Sequence, residues 1–294
     1  MQTLTPEVRQ WTREQLAAGH ARHELLQALV LQGWESQLAR QALDEIPAAA
    51  APPRRQPAAR ASRRQPDMQR LAVPVLPLEG APLHLDLGDR QVAVLGTVNN
   101  PAIAVLGGFL SDEECAALVD AARPAMKRSG VLDTATGGSK VDDVRTSNGM
   151  FFQRGDSELL RRIEARIARL TGWPVENGEG IQVLQYGPGA EYHPHYDYFD
   201  PRDAGTPTLL QRGGQRVATL IMYLSEPVRG GGTVFPDAGL EVGARRGNAV
   251  FFSYSVPHPD SRTLHGGSPV LEGEKWIATK WLREREFPAR KPTD

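Results

Sequence analysis

Apolar residues along this chain change period twice. Over residues 1–46 they fall at helical spacing. Thr5-Pro6 opens a first helix, with Pro6 in the first turn, where a missing N–H is tolerated; Trp11 and Leu16 carry it to Gly19, a residue suited to a helix C-cap. Leu25, Leu26, Leu29 and Val30 line one face of a second helix that ends near Gly33. Trp34, Leu38, Ala42, Leu43 and Ile46 do the same for a third. The pattern predicts a three-helix bundle whose core is marginal at this size.

Periodicity then vanishes. Residues 47–70 are mostly Ala, Pro, Arg and Gln, with almost no bulky apolar surface to offset the entropy of ordering. The composition predicts a disordered linker, extended where proline crowds. Its arginines, Arg54, Arg55, Arg60, Arg63, Arg64 and Arg70, suit a solvated spacer better than a contact with RNA or an acidic partner.

From Leu71 to residue 288 the grammar is that of short strands, with a tail at 289–294. LAVPVLPLEG, LHLDLGDRQVAVLG and AIAVLGGFL are apolar or alternating runs punctuated by Gly, Pro and Asn. Ser111 and Glu114 form a capping box that opens a helix through Cys115, Leu118, Val119 and Ala122. A second helix spans 157–171, with Leu160, Ile163, Ile167 and Leu170 on one face and Gly172 just beyond. The runs IQVLQYG, ATLIMYLS, AVFFSY, PVLEG and KWIATKWLRE follow. Two helices and then many short strands predict an α+β domain, a barrel or jelly roll with helical buttresses.

Charge narrows the function classes. With 34 basic and 35 acidic residues, the net charge of −1 argues against polyanion binding by the whole chain. No apolar run approaches the ~20 residues that span a bilayer, and the first residues lack the basic-then-apolar pattern of a secretory signal. Cys115 is the only cysteine, so no intramolecular disulfide forms, which fits a reducing, cytoplasmic compartment. Helical context and the absence of a nearby activating group read Cys115 as a small buried residue. Only five of the basic residues are lysine. With Ala, Gly and Pro abundant, this is the usage of a GC-rich bacterial genome, and it makes each lysine conspicuous.

The chemistry concentrates in QYGPGAEYHPHYD. His195 and Asp197 are two apart, and on a strand residues i and i+2 share a face, so an imidazole and a carboxylate project together as adjacent metal ligands. His265, followed by Gly266 and Gly267 that permit close backbone approach, offers a third. Two histidines and a carboxylate make the facial triad of non-haem Fe(II) oxygenases, which leaves positions open for a bidentate cosubstrate and O2. Lys275 follows ten residues later, among apolar neighbours where an ammonium needs an anion.

At these residues the chain resembles the 2-oxoglutarate- and Fe(II)-dependent oxygenases and, within them, the prolyl 4-hydroxylase catalytic domain. The matching blocks are FLSDEEC from Phe109, RTSNGMF from Arg145, QYGPGAEYHPHYDYFDP, GGQRVATLIMYLSEPVRGGGTVFP and LHGGSPVLEGEKWIATKWLRE, spread in order over residues 103–287. The resemblance implies a double-stranded β-helix core, with Fe(II) held by His195, Asp197 and His265. It implies that Lys275, Tyr186 and Thr219 hold the distal carboxylate of 2-oxoglutarate and that Trp281 lies near the cosubstrate. Arg145, Ser147, Asn148 and Tyr192 become candidate substrate contacts. 2-Oxoglutarate and O2 are then the cosubstrates, and ascorbate supports turnover. One departure stands out: Gly232 replaces the Glu common before the Thr of GGxTxFP.

Not every polar residue belongs to the site. His193 shares the strand face of His195, but a fourth ligand would block an open position, so it reads as a rim residue. His258 lies between prolines in a loop. Residues 131–143 and 200–215 are long connections beside the site and read as lids. The implied reaction is hydroxylation of prolyl residues in a peptide or protein. The same chemistry on a free amino acid or small metabolite, and an oxygen or iron sensor that recruits a partner, are the alternatives. The N-terminal module resembles a ubiquitin-associated-like three-helix bundle, and a tethered docking module of this kind favours a macromolecular substrate.

Overall fold

The computed structural model describes residues 6–17, 70–129, 131–132, 139–140 and 146–288, with positions 25, 29, 34, 38, 42 and 43. The chain divides into two compact units, Met1–Asp67 and Met68–Asp294. In the first, a helix runs Pro6–Ala17, starting at the expected proline. Leu25, Leu29, Ala42 and Leu43 are helical and buried, as the apolar spacing predicts. The remaining positions assigned to the second and third helices, the linker up to 69 and the tail from 289 lie outside the described residues.

The second unit is built on two antiparallel sheets. The larger has nine strands in the order His84–Asp86, Gln91–Val98, Ala102–Gly107, Ala249–Ser253, Arg216–Tyr223, Lys275–Arg283, Ile181–Tyr186, Asn148–Phe152 and Lys127–Arg128. The smaller has four: Leu240–Val242, Thr233–Phe235, His265–Gly267 and Tyr192–His195. From residue 181 on, the chain passes from the large sheet to the small one and back, so strands distant in sequence become neighbours. That winding is the double-stranded β-helix, and the fold is α+β as expected.

Strand alternation sorts the apolar residues into two layers. Val183, Leu220, Phe251 and Ala278 point outward and pack with Leu118, Ile163, Ile167 and Leu170 of the helices Asp112–Ala122 and Glu158–Thr171. Tyr186, Tyr223, Phe252 and Ile277 point inward and meet Phe235, Val242 and Val270 between the sheets. Both helices start and stop where the sequence places them. Ser111 and Glu114 form the reciprocal capping box, Ser157 caps the second helix, and Gly172 ends it in left-handed geometry at φ 62°. Glu114 does more than cap: its carboxylate also accepts from Arg166, which reaches Asp89 as well, tying both helices to the first hairpin.

Two expectations need correction. Residues 71–83, read as opening strand-like, join no sheet; Pro74 and Pro77 cannot donate to a ladder, and pairing starts at His84. Residues 200–215, read as a lid, are tied down. Thr206 donates to the Asp200 carbonyl at 2.5 Å, the Gln215 amide brackets the backbone of Phe199, and Arg283 donates to the carbonyls of Leu209 and Arg212. Of the other proposed lid, Val131–Leu132 pairs with Ser139–Lys140, and the residues between lie outside the described set.

Candidate active site

The two histidines meet through strand register. His195 ends the strand Tyr192–His195, His265 begins the strand His265–Gly267, and they are direct antiparallel partners. Gly266 is what lets the strands close up: a Cβ there would lie 2.8 Å from the Tyr192 carbonyl oxygen and 3.0 Å from the Pro194 nitrogen. Asp197 lies past the strand, in a bend. The ladder stops at His195 because its partner strand starts at His265, so the expected i, i+2 strand geometry gives way to a turn that still delivers the carboxylate to the same spot. Asp197 Oδ2 is 3.4 Å from His265 Nε2, Asp197 Oδ1 is 3.7 Å from His195 Nε2, and one donor atom from each residue lies within 4.8 Å of the others.

The protonation states suit a divalent metal. Each Nδ1 sits at hydrogen-bond distance from a backbone carbonyl, His195 from His193 at 2.9 Å and His265 from Thr263 at 3.0 Å. Donation there leaves Nε2 with its lone pair facing the cluster. Burial pushes the His265 imidazolium pKa down to about 4 against the pull of Asp197, so the ring is neutral at pH 7. Burial works against the charge on Asp197, but the facing rings of His265 and His195 and the Arg216 guanidinium outweigh it and hold the carboxyl below the usual carboxylate range. Two imidazoles and a carboxylate on one face fit Fe(II) and leave part of the coordination sphere to other ligands.

Deeper between the sheets, the strand Lys275–Arg283 supplies the other half of the site. Lys275 is 2% exposed and pairs in register with Tyr186, its ammonium 5.4 Å from that ring's centroid. No hydrogen bond or ion pair joins it to another described residue. Burial pushes its pKa down to about 8, with Glu241 pulling the other way. Trp281 lines the same cavity, and its buried Nε1–H also has no partner among the described residues. Its ring is held by the Arg216 guanidinium stacked 4.0 Å from its centroid, and Glu179 in turn fixes Arg216 at 2.7 Å. An unanswered ammonium in one cavity with the triad is what a dicarboxylate would satisfy.

The remaining expectations divide. Tyr186 lines the cavity as expected; Tyr192 does too, stacked on His195 with centroids 3.8 Å apart. Thr219 does not: it is wholly buried, and its hydroxyl donates to Asp197 Oδ2 at 2.7 Å, so the structure places it behind the carboxylate ligand and not beside Lys275. Ser147 is buried against Ser129 and Asn148 is exposed; neither lines the cavity, and Arg145 lies outside the described residues. His193 is exposed at the rim, 3.3 Å from Glu191. Sequence reasoning passed over Thr233, which lines the cavity and accepts from the Tyr223 hydroxyl at 2.8 Å, although its GGGTVFP block was the available signal. Gly232 has a reason: a Cβ there would collide with the Glu241 carboxylate, which takes that space from the neighbouring strand.

A double-stranded β-helix with this donor set defines a class, the 2-oxoglutarate- and Fe(II)-dependent oxygenases. A family profile and curated relatives agree. A profile of the 2OG-Fe(II) oxygenase superfamily matches residues 181–283. Prolyl 4-hydroxylase 5 of Arabidopsis thaliana is 43% identical over 222 residues, covering 68% of this chain and 74% of that one. Prolyl 4-hydroxylase 1 of the same plant is 46% identical over 220 residues, 67% of this chain and 76% of that one. The crystal structure of a viral collagen prolyl hydroxylase from Paramecium bursaria Chlorella virus 1, a 2-oxoglutarate complex, aligns at TM-score 0.49 and 31% identity over 64% of this chain and 99% of that one. The chain belongs to the prolyl 4-hydroxylase family of Fe(II)/2-oxoglutarate dioxygenases. Its cosubstrates are accordingly 2-oxoglutarate and O2, with Fe(II) as the metal.

Proposed function

We propose that this enzyme hydroxylates prolyl residues in a peptide or protein, with His195, Asp197 and His265 holding Fe(II) and Lys275 pairing with the distal carboxylate of 2-oxoglutarate. One observation carries the reading: a buried, unanswered ammonium and a His-Asp-His cluster share a single cavity. The bound metal with its cosubstrates supplies oxidation of an unactivated C–H bond, with 2-oxoglutarate leaving as succinate and CO2. The chain's own part is placement. Tyr186 and Trp281 wall the cosubstrate in, and the inner apolar layer of Leu184, Ile221 and Ile277 keeps water from the reacting centre. Tyr192, stacked on His195 at the cavity wall, is the residue we assign to the incoming prolyl ring, a role that its aromatic face supports.

The kinship with plant prolyl 4-hydroxylases supports the prolyl substrate. Tethering a separate N-terminal unit to the catalytic one supports a macromolecular substrate, with that unit docking a protein partner. A lone buried cysteine supports work in the cytoplasm, and a centre that must be kept as Fe(II) suits support by ascorbate.

The test is succinate release by the full chain with Fe(II), 2-oxoglutarate and proline-containing peptides, with mass spectrometry for one added oxygen on proline. Wild type releases succinate and marks the peptide; His265→Ala does neither. A wild type that gave no metal-dependent succinate with peptides or with a lysate of the source organism would sink the proposal.

A further inference from the structure

Thr219 sits in the middle of the strand Arg216–Tyr223, between its register partners Phe252 and Trp281, with 0% exposure. Its Oγ1 lies 2.7 Å from Asp197 Oδ2 and 3.0 Å from the hydroxyl of Tyr254, which is 2% exposed just beyond the strand Ala249–Ser253. Chemistry fixes the direction of both bonds. A carboxylate only accepts, so the single Thr219 proton goes to Asp197, and the Thr219 oxygen must accept from Tyr254. Among the described residues, Thr219 is the one hydrogen-bond partner of the Tyr254 hydroxyl. The Tyr254 backbone N–H is anchored on Val217 O at 3.0 Å, and its ring packs against Phe252, which itself lies against His265. Burial, then the negative charge of Asp197, raises the Tyr254 pKa well above that of a free phenol, so the hydroxyl keeps the proton it donates.

We propose that Tyr254 and Thr219 form a two-hydroxyl relay that holds Asp197 Oδ2 and leaves Oδ1 to the metal, which makes Tyr254 a positioning residue of the iron centre. A carboxylate free to turn must be ordered when it takes a metal, so holding Oδ2 in place strengthens metal binding through Oδ1. A hydroxyl that itself accepts a hydrogen bond is a stronger donor, so Tyr254 tightens the grip of Thr219 on Asp197 without touching the ligand. This assignment rests on the triad binding Fe(II), and it gives Thr219 a role other than the cosubstrate contact that the family resemblance implies.

The experiment is anaerobic Fe(II) titration of the metal-free full chain by calorimetry, without 2-oxoglutarate, on wild type, Tyr254→Phe, Thr219→Val, Thr219→Ser and the Tyr254→Phe/Thr219→Val double variant, with melting temperatures measured alongside. Tyr254→Phe keeps the ring and loses only the hydroxyl. It weakens Fe(II) binding about tenfold, and Thr219→Val weakens it more, toward about a hundredfold. Thr219→Ser returns the affinity close to wild type. The double variant binds no more weakly than Thr219→Val alone, because Tyr254 acts through Thr219. Unchanged Fe(II) affinity in both single variants overturns the relay, and a fall in melting temperature alone then assigns the two hydroxyls a packing role. Additive losses in the double variant overturn the link between the two hydroxyls. A wild type that takes up no Fe(II) overturns the metal-site reading itself, a result distinct from all of these.

Discussion

Two lysines on one strand are buried almost equally and behave as opposites. Lys275 is 2% exposed and Lys280 1%, five residues apart on Lys275–Arg283 and on opposite faces of the sheet. Lys280 faces the helices, where Glu164 of the helix Glu158–Thr171 meets its ammonium at 2.6 Å. Lys275 faces the inner cavity, where no carboxylate meets it among the described residues. Burial lowers both pKa values, but Lys280 brings its own counter-ion and Lys275 is left to find one. A buried charge paired within the fold is architecture. A buried charge left unanswered, in one cavity with three metal-ligating groups, is a receptor.

The largest test of that contrast is on the helix side. Lys280→Met strands the Glu164 carboxylate in the interior and costs about 3–5 kcal/mol of stability. Denaturant unfolding reads the loss, while the KM for 2-oxoglutarate in the surviving folded fraction stays at wild type. Adding Glu164→Leu recovers most of the stability, since a well-packed apolar pair replaces a buried ion pair at little cost. The mirror experiment is Lys275→Met. It weakens 2-oxoglutarate binding by about 2–4 kcal/mol, because the distal carboxylate is left without its cation. The melting temperature of the cosubstrate-free protein is unchanged or higher. If Lys275→Met melted earlier and kept its affinity, the contrast would collapse.

Solution pH offers a third, subtler test. The ammonium form of Lys275 binds the carboxylate, and its pKa in the free enzyme is about 8. Affinity for 2-oxoglutarate is therefore flat below pH 8 and falls above it, approaching about tenfold per pH unit. The stability of the cosubstrate-free protein runs the other way. In the window between about 8 and the ordinary lysine value of 10.5 the unfolded chain binds the proton that the folded one has lost, so Lys275 makes stability rise with pH there. Calorimetric titrations at several pH values, repeated on Lys275→Met, isolate the effect; a wild-type profile identical to the variant's would assign it elsewhere. The smallest effect belongs to Trp281→Phe, which removes one N–H donor and keeps most of the ring. It costs about 0.5–1.5 kcal/mol of ligand affinity, at most about tenfold, through the smaller ring on the cavity wall, and the melting temperature reads the packing lost with it.

Much of this was legible along the chain. The capping box at Ser111, the helix end at Gly172 and the strand runs from Ile181 onward need only local chemistry, and all stand where periodicity placed them. His195, Asp197 and His265 are proposed from residue type and motif, and Gly266 shows why small residues follow the distal histidine. What was not legible depends on neighbours far away in sequence. Residues 71–83 look like a strand by composition, but a strand also requires a partner edge, and their prolines deny it. Thr219 was assigned to the cosubstrate because motif position says nothing about which side of a carboxylate a hydroxyl reaches. Tyr254 carries no motif at all, and only folding sets it behind Thr219.

The sequence alone determined the inventory: which residues can ligate a metal, which cation is conspicuous, and which segments alternate as strands. These are properties of residue type and spacing within a few positions. The tertiary structure decided pairing. It alone set His195 opposite His265 across a strand register, gave Lys280 a partner while leaving Lys275 without one among the described residues, and stacked two hydroxyls behind Asp197. The physical reason is that the energy of a buried charge or hydroxyl lies in what it faces, and in a fold whose chain winds between two sheets the facing residue comes from tens of positions away.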